Sequence, residues 1–256
     1  MDLTTITVGV AGATGTLTLA RPDKLNPLSW VTLREIAQAA RWFDEQPDVK
    51  VVVVSGEGRS FCAGADLDGF GVAGEVGARE GADLGRKMAE AVEAMTAVTI
   101  ARIQGHCVGG GVVLAAACDL RVAASDAYFS IPEVDLGIPL AWGGIPRLVR
   151  EIGPALTKEL VMTCRPFTAA EGVAAGFLNR AVAPTELHAS VDELVATLVD
   201  KSALTLTATK RHVDAVTAQM VGTARSWADA DGLVVALHDP ESRAAAARYL
   251  GRVRKR

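Results

Sequence analysis

Two glycine-bearing turns constrain the fold of this chain more than any other feature of its sequence. Residues 61–67 read FCAGADL and residues 105–111 read GHCVGGG. Each turn follows an apolar run of β-type residues, and the second opens directly into a predicted helix at residues 112–117. Backbone N–H groups freed at such turns can converge on one oxyanion, and a helix start adds the positive end of its dipole. The pattern predicts an α/β fold with a site that stabilises an enolate.

Size and composition describe a globular protein that binds neither nucleic acid nor membrane. The chain has 256 residues, of which 50% are hydrophobic and 22% charged, so it can bury a core. Its net charge of −4 lacks the basic excess that nucleic-acid binding needs. The four cysteines show no metal or disulfide spacing, and we expect no metal site. Without a signal segment or a membrane-length apolar run, we expect a cytoplasmic protein.

Local patterns predict strands and helices in alternation over the first part of the chain. Residues 14–20 alternate in polarity and predict a strand, and the valine run at residues 49–55 predicts a strand covered on both faces. Asn26 followed by Pro27 is typical of a helix start. The glycine-rich, poorly periodic segment 69–85 predicts a loop near the site.

Beyond Gly143 the pattern becomes almost wholly helical. Residues 168–171 read as a helix-capping sequence, and amphipathic helices are predicted at residues 186–199, 204–219 and 222–237. We therefore divide the chain into an α/β core at residues 1–195 and a helical region at residues 196–256. That region is too thin for a core of its own, so its apolar faces pack on the core or on another subunit. The basic cluster at residues 252–256 is either a solvated tail or a contact for an anionic ligand or a neighbouring subunit.

Two further motifs carry no function in this interpretation. Residues 9–15 superficially resemble a dinucleotide fingerprint, but they lead into an alternating strand rather than a helix. A hairpin turn is therefore expected there. His106 lies next to Cys107, but neighbours on one turn rarely face each other, so no histidine–cysteine nucleophile is expected.

Several ordered motifs resemble the crotonase (enoyl-CoA hydratase/isomerase) superfamily. Residues 21–28, RPDKLNPL, are similar to its R-P-x-x-x-N-A-L opening, and the two glycine turns match its oxyanion turns. Residues 129–139, FSIPEVDLGIP, follow its F-x-x-P-E-x-x-L-G-x-x-P motif. The resemblance covers nearly the whole chain and fades past about Ala203.

This resemblance implies a crotonase-like spiral of ββα units with a C-terminal helical trimerisation region, in a homotrimer or a dimer of trimers. It implies acyl-CoA thioester ligands, with coenzyme A as part of the substrate and no separate cofactor. Carried over by position, the N–H groups of Ala65 and Gly110 form the oxyanion hole, and Glu133 is the acid/base. The residues implied for coenzyme A binding are Lys24, Leu25, Ala63, Asp66 and Leu67.

One departure from the superfamily pattern bears on the chemistry. Its hydratases carry two glutamates that share the acid and base work of adding water. Glu133 matches the second, but Val113 stands at the first, and Ala141 stands where some isomerases place an aspartate. A single buried glutamate, its pKa raised by burial, can move a proton between two carbons of an enoyl thioester. The sequence therefore favours double-bond isomerisation; the alternatives are a hydratase with an incomplete glutamate pair and a non-catalytic acyl-CoA-binding protein.

Overall fold

The structure, a computed structural model, describes residues 1–67 and 74–253. Part of the predicted loop at residues 69–85 and the end of the basic cluster at residues 252–256 therefore lie outside the described residues. None of the helices in the described ranges combines the length and the apolarity that a bilayer span requires.

A six-stranded sheet forms the centre of the fold, with a three-stranded sheet beside it. The strands are β1 (Ile6–Ala11), β2 (Thr14–Leu19), β3 (Val51–Gly56), β4 (Val98–Ile103), β5 (His106–Val108), β6 (Leu120–Ala124), β7 (Tyr128–Ser130), β8 (Phe167–Thr168) and β9 (Arg180–Val182). The large sheet has the order β1-β2-β3-β4-β6-β9 and the small one β5-β7-β8. Strands β1 and β2 form an antiparallel hairpin, which confirms the hairpin expected at residues 9–15.

Helices connect the parallel strands and then fill the C-terminal part of the chain. They are α1 (Trp30–Asp44), α2 (Gly74–Glu93), α3 (Gly110–Ala116), α4 (Gly144–Thr163), α5 (Ala169–Ala174), α6 (Leu187–Val199), α7 (Ala203–Met220), α8 (Asp229–His238) and α9 (Pro240–Val253). Helices α1, α2 and α3 each link two neighbouring parallel strands of the large sheet. Every residue of β3 is buried, as the valine run predicts, because helices cover both faces of such a sheet.

The helix predicted to start at Pro27, with Asn26 as its cap, begins three residues later. Helix α1 starts at Trp30, and the side chain of Ser29 caps it. Asn26 is buried with a φ of 56°, and its side-chain amide donates to the carbonyls of Glu57 (2.9 Å) and Ser60 (2.8 Å). The prediction was wrong because the amide joins two distant turns instead of capping a helix.

The loop predicted at residues 69–85 is helical from Gly74 onward. Gly81 and Gly85 lie one turn apart on the same face of α2. A Cβ atom at Gly81 would lie 2.8 Å from Nε1 of Trp30, and one at Gly85 would lie 2.2 Å from the ring of Trp142. These glycines admit two indole rings to the helix surface. The prediction was wrong because a count of glycines does not distinguish close packing from a loop.

The C-terminal helices differ from one another in how they are buried. Residues 222–237, predicted as one helix, form a 3₁₀ helix (Thr223–Ala228) followed by α8, and α9 was not predicted. Leu233 of α8 belongs to the main core of the chain. Helix α7 instead leaves a set of large apolar side chains exposed: Leu204, Val213, Val216 and Met220.

Candidate active site

The two glycine turns lie side by side. Cys62 and Cys107 pair in a short parallel bridge, in which the Cys62 N–H donates to the His106 carbonyl (2.9 Å). The Val108 N–H donates back to the Cys62 carbonyl (3.0 Å). Gly64 has a φ of 98°, and a Cβ atom there would lie 3.0 Å from the Val108 carbonyl oxygen. Glycine is therefore required where the turns touch.

Ala65 and Gly110, the predicted oxyanion donors, lie near the ends of the two glycine turns. Ala65 pairs with Leu28, but that pairing uses the Gly64 carbonyl (2.8 Å) and the Asp66 N–H (3.0 Å). The Ala65 N–H takes no part in it. Gly110 is the first residue of α3, where an N–H has no acceptor within the helix. Both residues line one pocket.

That pocket is small and mostly apolar. It contains about 340 Å³ of empty space, part of it open to solvent. Its lining residues are Ala65, Gly110, Val113, Glu133, Ile138, Pro139, Leu140, Ala141, Trp142 and Leu233. Among these described residues, Glu133 is the only titratable one. Both positions at which the sequence departs from the superfamily pattern, Val113 and Ala141, face the same space as Glu133.

The Glu133 carboxyl group lies in a desolvated position against the start of α3. A Cβ atom at Gly109 would lie 2.6 Å from Oε1 of Glu133. Oε2 is buried and has no hydrogen-bond partner among the described residues. Burial raises the pKa of Glu133 to about 7, against a weaker opposing effect of its own backbone N–H. The group can therefore both accept and return a proton near neutral pH.

The residues predicted to bind coenzyme A do not line the pocket. They lie on two segments, one at residues 24–25 and the other at residues 63–67, which also contains Ala65. The Ala63 N–H donates to the Leu25 carbonyl (2.9 Å), so these two turns are joined. Asp66 forms an ion pair with Arg21 (2.7 Å), a partner that sequence reasoning missed. Lys24 is exposed and ends a short 3₁₀ helix, and Leu67 follows Asp66 on the same segment.

The expectation that His106 and Cys107 form no nucleophilic pair agrees with the structure. The two residues lie on consecutive positions of β5, where His106 is exposed and Cys107 is buried. Burial raises the pKa of the Cys107 thiol, which opposes thiolate formation. Nδ1 of His106 instead lies 3.1 Å from Oγ of Ser60.

One pocket residue has no signal in the sequence. Leu233 comes from α8, about a hundred residues after Glu133 in the chain, and its place in the pocket depends on how α8 docks. From the sequence alone, an apolar residue at position 233 predicts only a buried side chain, not a place in this pocket.

Comparison with known proteins gives a consistent family. The family model described as enoyl-CoA hydratase/isomerase matches residues 10–255. A crotonyl-CoA hydratase of Syntrophomonas wolfei is 36% identical over 225 residues, which cover 87% of this chain and 86% of the relative. A peroxisomal Delta(3,5)-Delta(2,4)-dienoyl-CoA isomerase of Arabidopsis thaliana is 36% identical over 207 residues, covering 76% of this chain and 74% of the relative. The crystal structure of an enoyl-CoA hydratase from Mycobacterium avium subsp. paratuberculosis has a TM-score of 0.88 at 26% identity, covering 98% and 97% of the two chains.

Fold and sequence together define the class of protein: an α/β enzyme of the crotonase superfamily with a helical C-terminal region. The resemblance stated from the sequence motifs is confirmed. The chain belongs to the enoyl-CoA hydratase/isomerase family.

Proposed function

We propose that this protein isomerises the double bond of an enoyl-CoA thioester, with Glu133 as the single acid/base. One observation carries the proposal: Glu133 is the only titratable side chain among the described residues of the pocket. The position at which hydratases of the superfamily carry a second glutamate holds Val113, which is 1% exposed and lines the same pocket.

The reaction needs only one group that moves a proton. The Glu133 carboxylate removes a proton from C2 of a 3-enoyl thioester, and the electron pair of that C–H bond becomes part of a dienolate. The N–H groups of Ala65 and Gly110 donate to its oxygen, each contributing about 3 kcal/mol to the transition state. The Glu133 carboxylic acid then returns the proton to C4, which gives the 2-enoyl thioester. A pKa of about 7 suits both steps.

A hydratase is the second candidate, because a crotonyl-CoA hydratase is 36% identical to this chain over 225 residues. In the hydratases of the superfamily, two glutamates share the removal of a proton from water and the protonation of the substrate carbon. The methyl groups of Val113 can neither orient water nor exchange a proton. The apolar lining therefore favours isomerisation.

The ligand and the assembly follow from the same proposal. The acyl-CoA thioester carries its own coenzyme A, which the segments around Lys24, Leu25, Ala63, Asp66 and Leu67 contact. The exposed apolar side chains of α7 support a homotrimer or a dimer of trimers, since exposed apolar surface marks an interaction site. We also propose that the protein is cytoplasmic.

A direct assay separates the candidates. Purified protein receives 3-enoyl-CoA or 2-enoyl-CoA in deuterated water, and double-bond migration, hydration and deuterium uptake are followed together. Isomerisation should occur and should be lost in the matched variant Glu133→Gln. Hydration that survives Glu133→Gln contradicts the single-base mechanism. Tight acyl-CoA binding without turnover identifies a non-catalytic binding protein instead.

A further inference from the structure

Trp142, which lines the pocket, is the first of two consecutive residues with a left-handed backbone. Trp142 has a φ of 62° and Gly143 a φ of 68°. Glycine adopts this conformation readily, but a bulky side chain rarely does. Such a residue persists only where the surrounding structure holds it, and such positions cluster at ligand sites.

Three helices hold this turn. The guanidinium of Arg147, which is 1% exposed on α4, donates through Nη1 to the carbonyls of Trp142 (3.3 Å) and Gly143 (3.1 Å). Its Nη2 bonds to the Glu93 carboxylate of α2 (2.5 Å). The Gly143 N–H donates to the Asp229 carboxylate at the start of α8 (2.8 Å). The turn is therefore a preformed wall with little freedom to move.

The indole of Trp142 is wedged between two glycines. A Cβ atom at Gly85 would lie 2.2 Å from its ring carbons, and one at Gly110 would lie 2.3 Å from its Cζ3. Any larger residue at either position would displace the ring. Since Gly110 is also a proposed oxyanion donor, the indole lies directly beside the position of the thioester oxygen.

Apolar side chains line the part of the pocket beyond the proposed oxyanion hole. Ile138, Leu140, Trp142 and Leu233 line it, whereas the segments predicted to contact coenzyme A lie outside the lining on the Ala65 side. An acyl chain would therefore extend toward the indole. The space is small, because its total of about 340 Å³ includes the part that is open to solvent.

We propose that Trp142 sets the maximum length of the acyl chain and restricts this protein to short-chain acyl-CoA thioesters. This inference rests on the proposed function only in taking an acyl-CoA as the ligand, not in the reaction that follows. The proposed mechanism does not use Trp142 as a proton donor or acceptor, so this inference gives its side chain a role in specificity alone.

The test measures binding of two saturated ligands, butyryl-CoA and decanoyl-CoA, by calorimetry. Neither ligand can isomerise or take up water, so the readout is independent of turnover. The variant is Trp142→Gly, because glycine accepts the left-handed backbone. The matched control is Trp30→Ala, which removes an indole packed on Gly81 of the same helix but outside the pocket lining. Trp142→Phe is the second variant, so that the inference is still tested if the glycine variant does not fold.

The wild-type protein should bind butyryl-CoA at least about tenfold more tightly than decanoyl-CoA. Trp142→Gly should shift this ratio by about tenfold or more toward decanoyl-CoA, Trp142→Phe should shift it less in the same direction, and Trp30→Ala should leave it unchanged. Equal wild-type affinities, or an unchanged ratio in both Trp142 variants, would overturn the inference. If the proposed function is wrong and this inference is right, the protein will not convert 3-enoyl-CoA, but the ratio of its affinities for the two ligands will be as predicted.

Discussion

Replacing Glu133 by glutamine should remove activity and raise stability, with a gain that depends on pH. Burial places the pKa of the folded-state carboxyl group at about 7, against an ordinary value of 4.5. The unfolded chain therefore releases this proton at a lower pH than the folded protein does. The stability that the group contributes is fully present below pH 4.5 and is lost as pH rises through about 7. At about 1.36 kcal/mol for each pH unit between the two pKa values, the loss is about 3 kcal/mol.

Urea denaturation of the wild type and Glu133→Gln at about pH 4 and about pH 8 measures this difference. Glutamine has a similar shape and no charge, so the free energy of unfolding of the variant relative to wild type should rise by about 3 kcal/mol between the two pH values. Any cost of an unpaired amide at this position is the same at both, and it cancels. If the difference between the two proteins does not change with pH, the Glu133 carboxyl group is not desolvated as the structure shows.

Glu35 provides a control of opposite sign. Burial alone would raise its pKa, but hydrogen bonds from Thr5 and Thr4 to the carboxylate outweigh that effect and lower it. Its stabilising contribution is therefore present above the pKa of the unfolded chain and is lost as pH falls through the lowered folded-state pKa. Glu35→Gln should be less stable than wild type at about pH 8, and the gap should narrow at acidic pH.

The same Glu133→Gln variant tests the mechanism by steady-state kinetics. A general base contributes about 10²–10⁴-fold to rate, so kcat for isomerisation should fall by at least about a hundredfold. Wild-type kcat/KM should rise with pH and level off above about 7, since the ionised carboxylate is the reactive form. A flat profile between about pH 5 and 8 would refute the assignment of Glu133 as the base.

Three further substitutions test the roles of Val113, Gly109 and Asn26. Val113→Glu places a second carboxylate in the same pocket as Glu133. The variant should hydrate 2-enoyl-CoA, which is measured as a loss of the absorbance of the enoyl thioester. A folded variant that does not hydrate 2-enoyl-CoA would contradict the placement of Val113. Gly109→Ala puts a methyl group 2.6 Å from the Glu133 carboxylate at a φ of 50°, so kcat should fall more than KM changes in steady-state assays. Asn26→Ala leaves two carbonyls without their donor, and unfolding in urea should show a loss of about 2 kcal/mol; an unchanged free energy of unfolding would show that water replaces the amide.

Local pattern accounts for much of what could be predicted about the fold. The valine run of β3, the hairpin before Thr14 and the cap at Thr168 each depend on residues close together in the chain. Hydrophobic period and turn chemistry report such local structure directly. Where a residue acts over a long distance, the same patterns mislead: Asn26 reads as a helix cap but bonds to turns about thirty residues away.

The candidate site divides in the same way. The sequence by itself determined the two glycine turns, the single glutamate at Glu133 and the valine at Val113, because residue identity states which groups can exchange a proton. Only the tertiary structure decided that α2, α4 and α8 converge on Trp142 and that the Glu133 carboxyl group is shielded from solvent. A pKa near 7 and a wall beside Gly110 depend on groups far apart in the chain, and only folding brings those groups together.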